Sequence, residues 1–312
     1  MGKVIVVGGS AGAVQALSNL LKGLPADLSA PVLAVIHIGE EQNLLAQVLQ
    51  RSCALPVSSP SDAEPLVPGH VYIAAPNRHL MVREGCVMST NGPRENRHRP
   101  AVDALFRSAA RAFRSDVVGV ILSGALDDGV AGCLAIQARG GTIVVQDPSD
   151  AQNPDMPSNV LRALEAEYLL PVSKIPPLLA HLARNGEAVI KEKKSAKDCS
   201  ALSEDETMPI IEPFTYTCPE CGGSVAKIEN GNVEQFRCNV GHIFTSETFS
   251  SAASHALERA LWTALQRLNE QRSIQEHLSK RASDETLKRR YSENAAAAAE
   301  DMKLLHGILL RL

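Results

Sequence analysis

Residues 3–14, KVIVVGGSAGAV, carry the pattern that decides the fold. The apolar run at residues 4–7 predicts a buried strand, the glycine-rich segment 8–12 predicts a sharp turn, and a helical pattern begins at Val14. A strand, a glycine-rich turn and a helix in this order are typical of the first unit of a doubly wound α/β fold. We therefore expect further units of the same kind along the chain.

Ser10 lies within this turn, at the predicted carboxyl end of the strand. The segment Gly8-x-Ser10-x-Gly12 fits the pattern in which a serine nucleophile is exposed on a tight turn before a helix. Glycine-rich turns of similar composition also bind phosphate through backbone amides at a helix N-terminus, and others have no chemical role. The turn alone leaves these three interpretations open.

The first 186 residues repeat this alternation of strand and helix. Residues 101–113 predict one of the helices, because their apolar side chains recur every three or four positions. A hairpin at residues 80–90, turning at Glu84-Gly85, predicts an antiparallel edge. Continuous apolar runs joined by helices are typical of a parallel sheet covered on both faces. We predict an α/β fold with a doubly wound, mostly parallel sheet, whose strands are residues 4–7, 32–38, 70–74, 117–122 and 141–145.

The composition restricts the class of protein. The chain has 312 residues, of which 45% are hydrophobic, enough for one large domain and an appendage. Its net charge of -4 gives no electrostatic reason to expect nucleic acid or an anionic membrane as a partner. We find neither an apolar run of membrane-spanning length nor a signal-peptide pattern. We predict a cytoplasmic protein without membrane insertion, whose partners are proteins or small molecules.

A cysteine-rich segment follows the α/β region. Residues 187–212 are rich in charge and serine and lack periodicity, which predicts a linker. In residues 213–246, Cys218 and Cys221 precede a hairpin that turns at residues 230–232, and Cys238 and His242 follow it. Four soft ligands in two such pairs suit a tetrahedral, structural zinc ion with no open position. We predict a zinc-ribbon-like module, with a reduced cysteine cluster without metal as the alternative.

Residues 247–312 predict two amphipathic helices. One apolar stripe covers residues 249–268 and another covers residues 287–309, and Ser283-Asp284 between them resembles a helix N-cap. Consecutive helices with such stripes usually pack as a hairpin. Because two helices alone bury little apolar surface, we expect this hairpin to form a homo-oligomer or to lie against the main domain.

Three polar residues fall at predicted strand ends: Ser10 after the first strand, His37 at the end of the strand at 32–38, and Asp128 after the strand at 117–122. The carboxyl ends of parallel strands meet at one edge of a sheet, where binding sites form. An imidazole can activate a serine hydroxyl by taking its proton, and a carboxylate can orient the imidazole. The order Ser, His, Asp differs from that of the α/β-hydrolases. Each residue type also occurs at strand ends for structural reasons, so the residues alone leave a catalytic triad open.

Five ordered motifs lie within roughly residues 3–185: GGSAGA at 8–13, VIHI at 35–38, PGHVYIAAPNRHL at 68–80, NGPRENRHRPAVDALFRSAA at 91–110 and VGVILSGALDDGVAG at 118–132. They resemble, in order and in spacing, the motifs of the catalytic domain of CheB, the chemotaxis protein-glutamate methylesterase. This resemblance implies a hydrolase that removes γ-methyl esters from chemoreceptor glutamates and, in some members, deamidates receptor glutamines. Ser10 matches the family's nucleophile, His37 its general base and Asp128 the carboxylate that orients the base. The resemblance implies no cofactor for catalysis.

Further residues are similar to family residues around the site. By this resemblance the backbone N–H groups of Ala11 and Ala125 are the expected oxyanion donors. Arg78, His98 and Arg99 resemble residues that border the family's active site. For these three side chains a purely structural role as hydrogen-bonding groups stays open.

The chain departs from the family pattern around the mouth of the expected site. Ala11 stands where the family commonly has threonine, Ala125-Leu126 stands where it has methionine and glycine, and Ile38-Gly39-Glu40 replaces Met-Pro-Pro. Asp127 stands where the family often has asparagine, which makes it the poorer candidate for the triad. These changes leave the triad in place and alter the surroundings of the ester, so the reaction type is better defined than the substrate.

The predicted organisation is a catalytic domain at 1–186, a linker at 187–212, a zinc module at 213–246 and a helical hairpin at 247–312. Because the first strand begins at Val4, we expect no receiver domain before it and no control by phosphorylation in cis. An alternative function is a catalytically weak signalling adaptor that binds a protein partner through the zinc module and the helices. A nucleic-acid-binding ribbon is poorly supported, because residues 213–246 contain few basic side chains.

Overall fold

The computed structural model describes residues 2–37, 44–184, 210–230 and 233–311. It divides into two compact units, Met1–Phe249 and Ser250–Leu312. The helices and strands of the described residues are, in chain order, β1 (Val4–Gly9), α1 (Ala13–Lys22), β2 (Val32–Ile36), α2 (Leu45–Gln50), β3 (Val57–Ser58), β4 (Glu64–Pro65), β5 (Val71–Ile73), β6 (His79–Arg83), β7 (Cys86–Thr90), α3 (Val102–Phe113), β8 (Val117–Ile121), α4 (Val130–Gln137), β9 (Thr142–Gln146), α5 (Asp155–Ala163), β10 (Tyr168–Leu170), α6 (Ile175–Arg184), β11 (Ile210–Thr217), β12 (Ser224–Asn230), β13 (Val233–Cys238), β14 (Ile243–Thr245), α7 (Ser246–Arg281) and α8 (Glu285–Leu309).

A parallel sheet forms the centre of the first unit. Among the described residues its strand order is β10-β9-β8-β1-β2-β5-β3, and each neighbouring pair is parallel. Alternate side chains of β1 enter opposite apolar clusters, because successive residues of a strand face opposite sides. Ile5 and Val7 pack with α1 and α6, whereas Val4 and Val6 pack with α3, α4 and α5. Helices therefore cover both faces, which confirms the predicted doubly wound α/β fold.

The hairpin predicted at residues 80–90 is present as β6 and β7, but its predicted place was wrong. β7 pairs with β4 and β6 in a separate three-stranded sheet instead of extending the parallel one. Val82 and Val87 are buried in the same apolar cluster as Phe106 of α3. The apolar face of the hairpin is thus buried against α3, so the hairpin does not need the edge of the main sheet to cover that face.

A second antiparallel sheet, β11-β12-β13-β14, carries the cysteine-rich segment. β12 and β13 pair as the predicted hairpin, whose turn residues 231–232 lie outside the described residues, as do residues 187–209 of the predicted linker. β11 already begins at Ile210, inside the segment predicted as linker. Phe236 and Phe244 are buried in this sheet, and the ring of Phe249 at the start of α7 stacks on Phe236 with centroids 4.5 Å apart.

The second unit consists of the greater part of α7 together with α8. Asp284 caps α8 by accepting hydrogen bonds from the N–H groups of Thr286 at 2.7 Å and Leu287 at 3.0 Å. Ser279 of α7 lies 2.8 Å from Ser292 of α8 between their hydroxyl oxygens. The predicted helical hairpin is therefore present, with large apolar side chains still half exposed or more at Leu257, Trp262, Ile274 and Leu304.

No helix in the described part of the chain combines the length and the apolar character needed to cross a bilayer.

Candidate active site

The carboxyl ends of three neighbouring strands, β2, β1 and β8, form the candidate active site. Ser10 follows β1, and its N–H donates a hydrogen bond to the carbonyl of Ser123, just after β8, at 3.0 Å. His37 follows β2, and its N–H donates to the carbonyl of Gly9 at 3.0 Å. The backbone thus holds the serine and the histidine on adjacent strand ends.

Two glycines leave room for Ser10. Gly12 has a φ of +78°, in the left-handed region, and a Cβ there would lie 2.7 Å from the hydroxyl oxygen of Ser123. A Cβ on Gly124 would lie 3.0 Å from Cβ of Ser10 and 2.8 Å from the sulfur of Met156. Larger side chains at these two positions would displace the turn that carries the serine.

His37 and Asp128 lie against each other. Nε2 of His37 is 2.9 Å from Oδ2 of Asp128, and both side chains are almost completely buried. Both ring nitrogens of His37 are buried, and neither has a hydrogen bond of full geometry among the described residues. The approach of Nε2 to Asp128 is thus an ion-pair contact, and the hydroxyl of Ser10 is not hydrogen-bonded to Nδ1. Because Nε2 faces the carboxylate, Nδ1 is the ring nitrogen that remains to take a proton from a serine hydroxyl.

The carboxylate of Asp128 lies at the N-terminus of α3. It accepts hydrogen bonds from the N–H groups of Val102 at 2.7 Å and Asp103 at 3.1 Å. Helix N-termini favour negative charge because their amides lack partners within the helix. Burial alone would raise the pKa of Asp128, but its contact with His37 and the Val102 hydrogen bond outweigh burial and hold the pKa below its ordinary value. Asp128 is therefore ionised at neutral pH.

Two buried residues that the sequence analysis did not single out, Asn96 and Asp103, complete this network. Nδ2 of Asn96 donates hydrogen bonds to Asp128 at 3.0 Å and to Asp103 at 2.9 Å. Asp103 also accepts from the N–H groups of Gly129 at 3.0 Å and Gly132 at 2.7 Å, at the start of α4. Burial and then the charge of Asp128 raise the pKa of Asp103 well above its ordinary value. Both residues lie in the motif at 91–110, which was the available signal.

Asp127 is adjacent to Asp128 in sequence but has different partners. Its Oδ2 accepts a short hydrogen bond from the hydroxyl of Thr245, at the end of β14. Burial raises the pKa of Asp127 to about 6, and the hydrogen bond from Thr245 opposes this rise. Of the two neighbouring acids, Asp128 is the one in contact with His37.

His98 stacks on the ring of His37, with centroids 3.7 Å apart and planes inclined by 14°. Burial, followed by the proximity of His37, lowers the pKa of His98 to about 4. His98 is therefore neutral at physiological pH. It covers one face of the His37 ring without adding a second positive charge beside it.

Arg78 and Arg99 bind other parts of the protein. Arg78 donates through Nε to the hydroxyl of Ser89 at 2.8 Å and through Nη2 to the carbonyl of the same residue. Arg99 donates to Oδ1 of Asn77 from Nη2 at 2.7 Å and to the carbonyl of Gly92 from Nη1 at 2.9 Å. These bonds fit the structural role that the sequence left open, and contact of either arginine with substrate stays a prediction.

Ala11 follows Ser10 and Ala125 follows Gly124. Ser10 and Gly124 lie so close that a Cβ on Gly124 would be 3.0 Å from Cβ of Ser10. Within the described part of the chain, neither the N–H of Ala11 nor that of Ala125 donates a hydrogen bond to another protein group. Both amides are thus unpaired there, as oxyanion donors must be before substrate binds. Ile38-Gly39-Glu40, at the predicted mouth of the site, lies outside the described residues.

Comparison with known proteins agrees with this geometry. The family model described as CheB methylesterase matches residues 5–179. The chain belongs to the CheB methylesterase family. The crystal structure of the CheB methylesterase catalytic domain of Thermotoga maritima is similar, with a TM-score of 0.56 and 33% sequence identity, and the match covers 58% of this chain and 99% of that one. The fold and the motif resemblance predicted from the sequence are confirmed.

Two curated relatives illustrate how the lengths compare. A putative protein-glutamate methylesterase/protein-glutamine glutaminase of Leptospira interrogans is 35% identical over 185 residues, which are 59% of this chain and 96% of that protein. Protein-glutamate methylesterase/protein-glutamine glutaminase 5 of Anaeromyxobacter dehalogenans is 39% identical over 188 residues, 58% of this chain and 51% of that protein. The chain therefore spans nearly all of the first relative and about half of the second.

The segment beyond the CheB match contains the four predicted metal ligands. The ligand atoms of Cys218, Cys221, Cys238 and His242 all lie within 4.8 Å of one another. Sγ of Cys221 and Sγ of Cys238 are 3.8 Å apart, and Nδ1 of His242 is 3.4 Å from the sulfur of Cys238 and 3.7 Å from that of Cys218. Tetrahedral zinc with ordinary bond lengths places two sulfurs about 3.8 Å apart and a sulfur and a nitrogen about 3.6 Å apart. The donor set and its spacing thus fit zinc.

Proposed function

We propose that this protein is a serine hydrolase that removes γ-methyl esters from glutamate side chains of a methylated chemoreceptor or a related signalling protein in the cytoplasm. The observation that carries the proposal is the buried contact at 2.9 Å between Nε2 of His37 and Oδ2 of Asp128. His37 follows β2 and Asp128 lies beyond β8, the two strands on either side of β1, which Ser10 follows. The names of the CheB relatives support the choice of ester.

In the first half-reaction, the hydroxyl oxygen of Ser10 attacks the ester carbonyl and Nδ1 of His37 takes the hydroxyl proton. The carboxylate of Asp128 stabilises the resulting imidazolium. The N–H groups of Ala11 and Ala125 donate to the oxyanion of the tetrahedral intermediate, and each such donor typically contributes about 10²- to 10³-fold in rate. The intermediate collapses, His37 returns the proton to the leaving oxygen, and methanol departs from the acyl-enzyme.

In the second half-reaction, His37 takes a proton from water, whose oxygen attacks the acyl carbon. As the resulting tetrahedral intermediate collapses, the bond to the oxygen of Ser10 breaks, His37 gives its proton to that oxygen, and the glutamate carboxyl group is released. The same steps applied to a glutamine side chain would release ammonia instead of methanol. We include deamidation in the proposal because the relatives carry glutaminase in their names.

We also propose that Cys218, Cys221, Cys238 and His242 hold a structural zinc ion. Four protein ligands leave no open coordination position, so the ion would stabilise the β11–β14 sheet and take no part in ester cleavage. Three pairs of ligand atoms at 3.4–3.8 Å, in a set whose members all lie within 4.8 Å of one another, support this assignment.

Methanol release from a glutamate-methylated receptor tests the proposed function. We expect Ser10→Ala to lower the rate at least about 10³-fold, because the nucleophile is lost. Ser18→Ala is the matched control, since Ser18 lies on α1 with its hydroxyl 3.1 Å from that of Ser52. Equal methanol release by wild type and Ser10→Ala would contradict the hydrolase and favour the signalling adaptor.

A further inference from the structure

The side-chain amide of Asn96 lies between the candidate triad and the C-terminal segment. Asn96 is 1% exposed, so its hydrogen bonds are shielded from water. Both protons of Nδ2 have protein acceptors, the carboxylates of Asp103 and Asp128. Oδ1 accepts from the N–H of Thr245 and from the hydroxyl of Thr248, both at 3.0 Å. The amide therefore uses its full capacity of two donated and two accepted hydrogen bonds.

The Nδ2 group donates to two neighbouring buried acids, Asp103 and Asp128. Asp128 keeps its charge through its contact with His37 and the hydrogen bond from the N–H of Val102, and Asn96 adds a side-chain donor. Without Nδ2, the carboxylate of Asp128 would lose a buried donor, which would raise its pKa and leave it free to rotate away from His37. A protonated or rotated Asp128 would no longer stabilise the imidazolium of His37.

The C-terminal segment determines where the amide of Asn96 sits. The backbone N–H of Asn96 donates to the carbonyl of Ile243 in β14 at 2.7 Å. Thr245 ends β14 and Thr248 lies in the first turn of α7, and each is buried. Three contacts from residues 243–248 thus hold the backbone and the oxygen of Asn96, and the opposite side of the same amide holds Asp128.

We propose that Asn96 is a positioning residue for the triad carboxylate, and that Thr245 and Thr248 hold it in place, so that residues 243–248 form part of the esterase. The proposal rests on the proposed function for its catalytic consequence. Asn96 acts through Asp128 and His37, so its loss lowers kcat and leaves KM for the methyl ester unchanged.

The test uses the full chain with two variants, their combination and two controls. Thr248→Val keeps the side-chain shape and removes the hydroxyl that donates to Asn96. Asn96→Gly removes the amide while tolerating the φ of +49° at this position. Thr263→Val controls for a threonine of α7, whose hydroxyl donates only within the helix, to Arg259 at 2.9 Å. Glu84→Gly controls for a glycine at another position with φ of +49°.

The first readout is the rate at which a fluorophosphonate probe labels Ser10, with methanol release measured beside it. We expect Asn96→Gly to slow both about 10- to 100-fold, because a hydrogen bond to a buried charge is lost. Thr248→Val should slow them about 3- to 10-fold, and the double variant should be no slower than Asn96→Gly alone. Both controls should keep the wild-type rates. Wild-type rates in either test variant, or multiplicative effects in the double variant, would overturn the inference.

A second readout separates this inference from the proposed function. If the probe labels wild type but no methanol is released, the ester substrate is wrong, and the labelling rates still test Asn96. If the probe does not label Ser10, the hydrolase is wrong, and the carboxyl resonance of Asp128 is followed by NMR as the pH is lowered instead. Asn96→Gly should raise the pKa of Asp128, because a buried donor to its carboxylate is lost, whereas Thr263→Val should not. An unchanged pKa of Asp128 in Asn96→Gly would refute the positioning role.

Discussion

The triad at the end of the parallel sheet and the Cys/His cluster of the β11–β14 sheet are both assembled from separate loops. They differ in what compensates their charged or electron-donating side chains. The charge of Asp128 is met by protein donors, from Val102, Asp103 and Asn96. In the Cys/His cluster, four electron-pair donors face one another within 4.8 Å. The first arrangement is complete with protein groups alone, whereas the second fits the zinc ion that we propose.

One segment of the chain, from His242 through β14, contributes to both clusters. His242, a proposed ligand, is followed directly by β14, which contacts Asn96 through Ile243 and Thr245. We therefore expect damage to the hydrogen-bonded cluster to stay local, and damage to the Cys/His cluster to reach the triad. Three substitutions test this difference.

The largest effect is expected for Asp128→Asn. The amide cannot accept from all its present donors or stabilise an imidazolium, so kcat for methanol release should fall about 10⁴-fold, as it does when the acid of other serine triads is replaced. Bound zinc should not change. Asp116→Asn is the control, since Asp116 is a surface acid 3.9 Å from Lys3. A fall of less than tenfold would remove Asp128 from the triad.

An intermediate effect is expected for Cys238→Ser. Loss of a thiolate should abolish stoichiometric zinc, measured by elemental analysis of the purified protein. It should also slow probe labelling of Ser10 about tenfold or more, because β14 then no longer fixes Asn96. Cys53→Ser, at a buried free cysteine before β3, is the control. Zinc-free wild type would contradict the metal, and unchanged labelling of the zinc-free variant would show that the clusters are independent.

The smallest effect on the rate is expected for Asp127→Asn, whose main consequence is for stability. Folding raises the pKa of Asp127 from 3.8 to about 6, so the native state favours the protonated form and its stability falls as pH rises from about 4 to about 6. Asparagine keeps an oxygen for the Thr245 hydroxyl and removes the buried charge. The free energy of unfolding should rise by up to about 3 kcal/mol at pH 8 and hardly change at pH 4.

Denaturant titrations of Asp127→Asn at both pH values, with Asp27→Asn as an exposed control, measure this difference. An equal gain at pH 4 and pH 8 would mean that the buried charge is not its cause. Methanol release should stay within a few-fold of wild type, because Asp127 is not in contact with His37.

The sequence was sufficient for those features of the fold that depend on local pattern. The predicted strands at 4–7, 32–38, 70–74, 117–122 and 141–145 correspond to β1, β2, β5, β8 and β9, because long apolar runs have few alternatives to burial. β3 and β10 have two and three residues, none of them buried, and were not predicted, whereas the three residues of β5 are all buried. The hairpin at 80–90 was found, but which neighbour covers it depends on α3 and not on the hairpin.

The candidate site shows the same limit. Strand ends and motifs were enough to name Ser10, His37 and Asp128 as candidates. The part played by Asn96 depends on Thr245 and Thr248, which are 149 and 152 residues further along the chain. Nothing in the local sequence of either segment indicates the other, so the contact between them can be recognised only in the tertiary structure.

The saturated amide of Asn96 has a consequence for how this enzyme could exchange parts with its relatives. The match to the Thermotoga maritima CheB catalytic domain covers 58% of this chain, and the family match ends at residue 179, before the segment at 243–248 that binds Asn96. Transfer of residues 210–249 to another CheB domain would reproduce these hydrogen bonds only if Asn96 were transferred as well. By this inference residues 243–248 belong to the working catalytic domain, and a truncated chain should be judged by the hydrogen bonds that Asn96 loses.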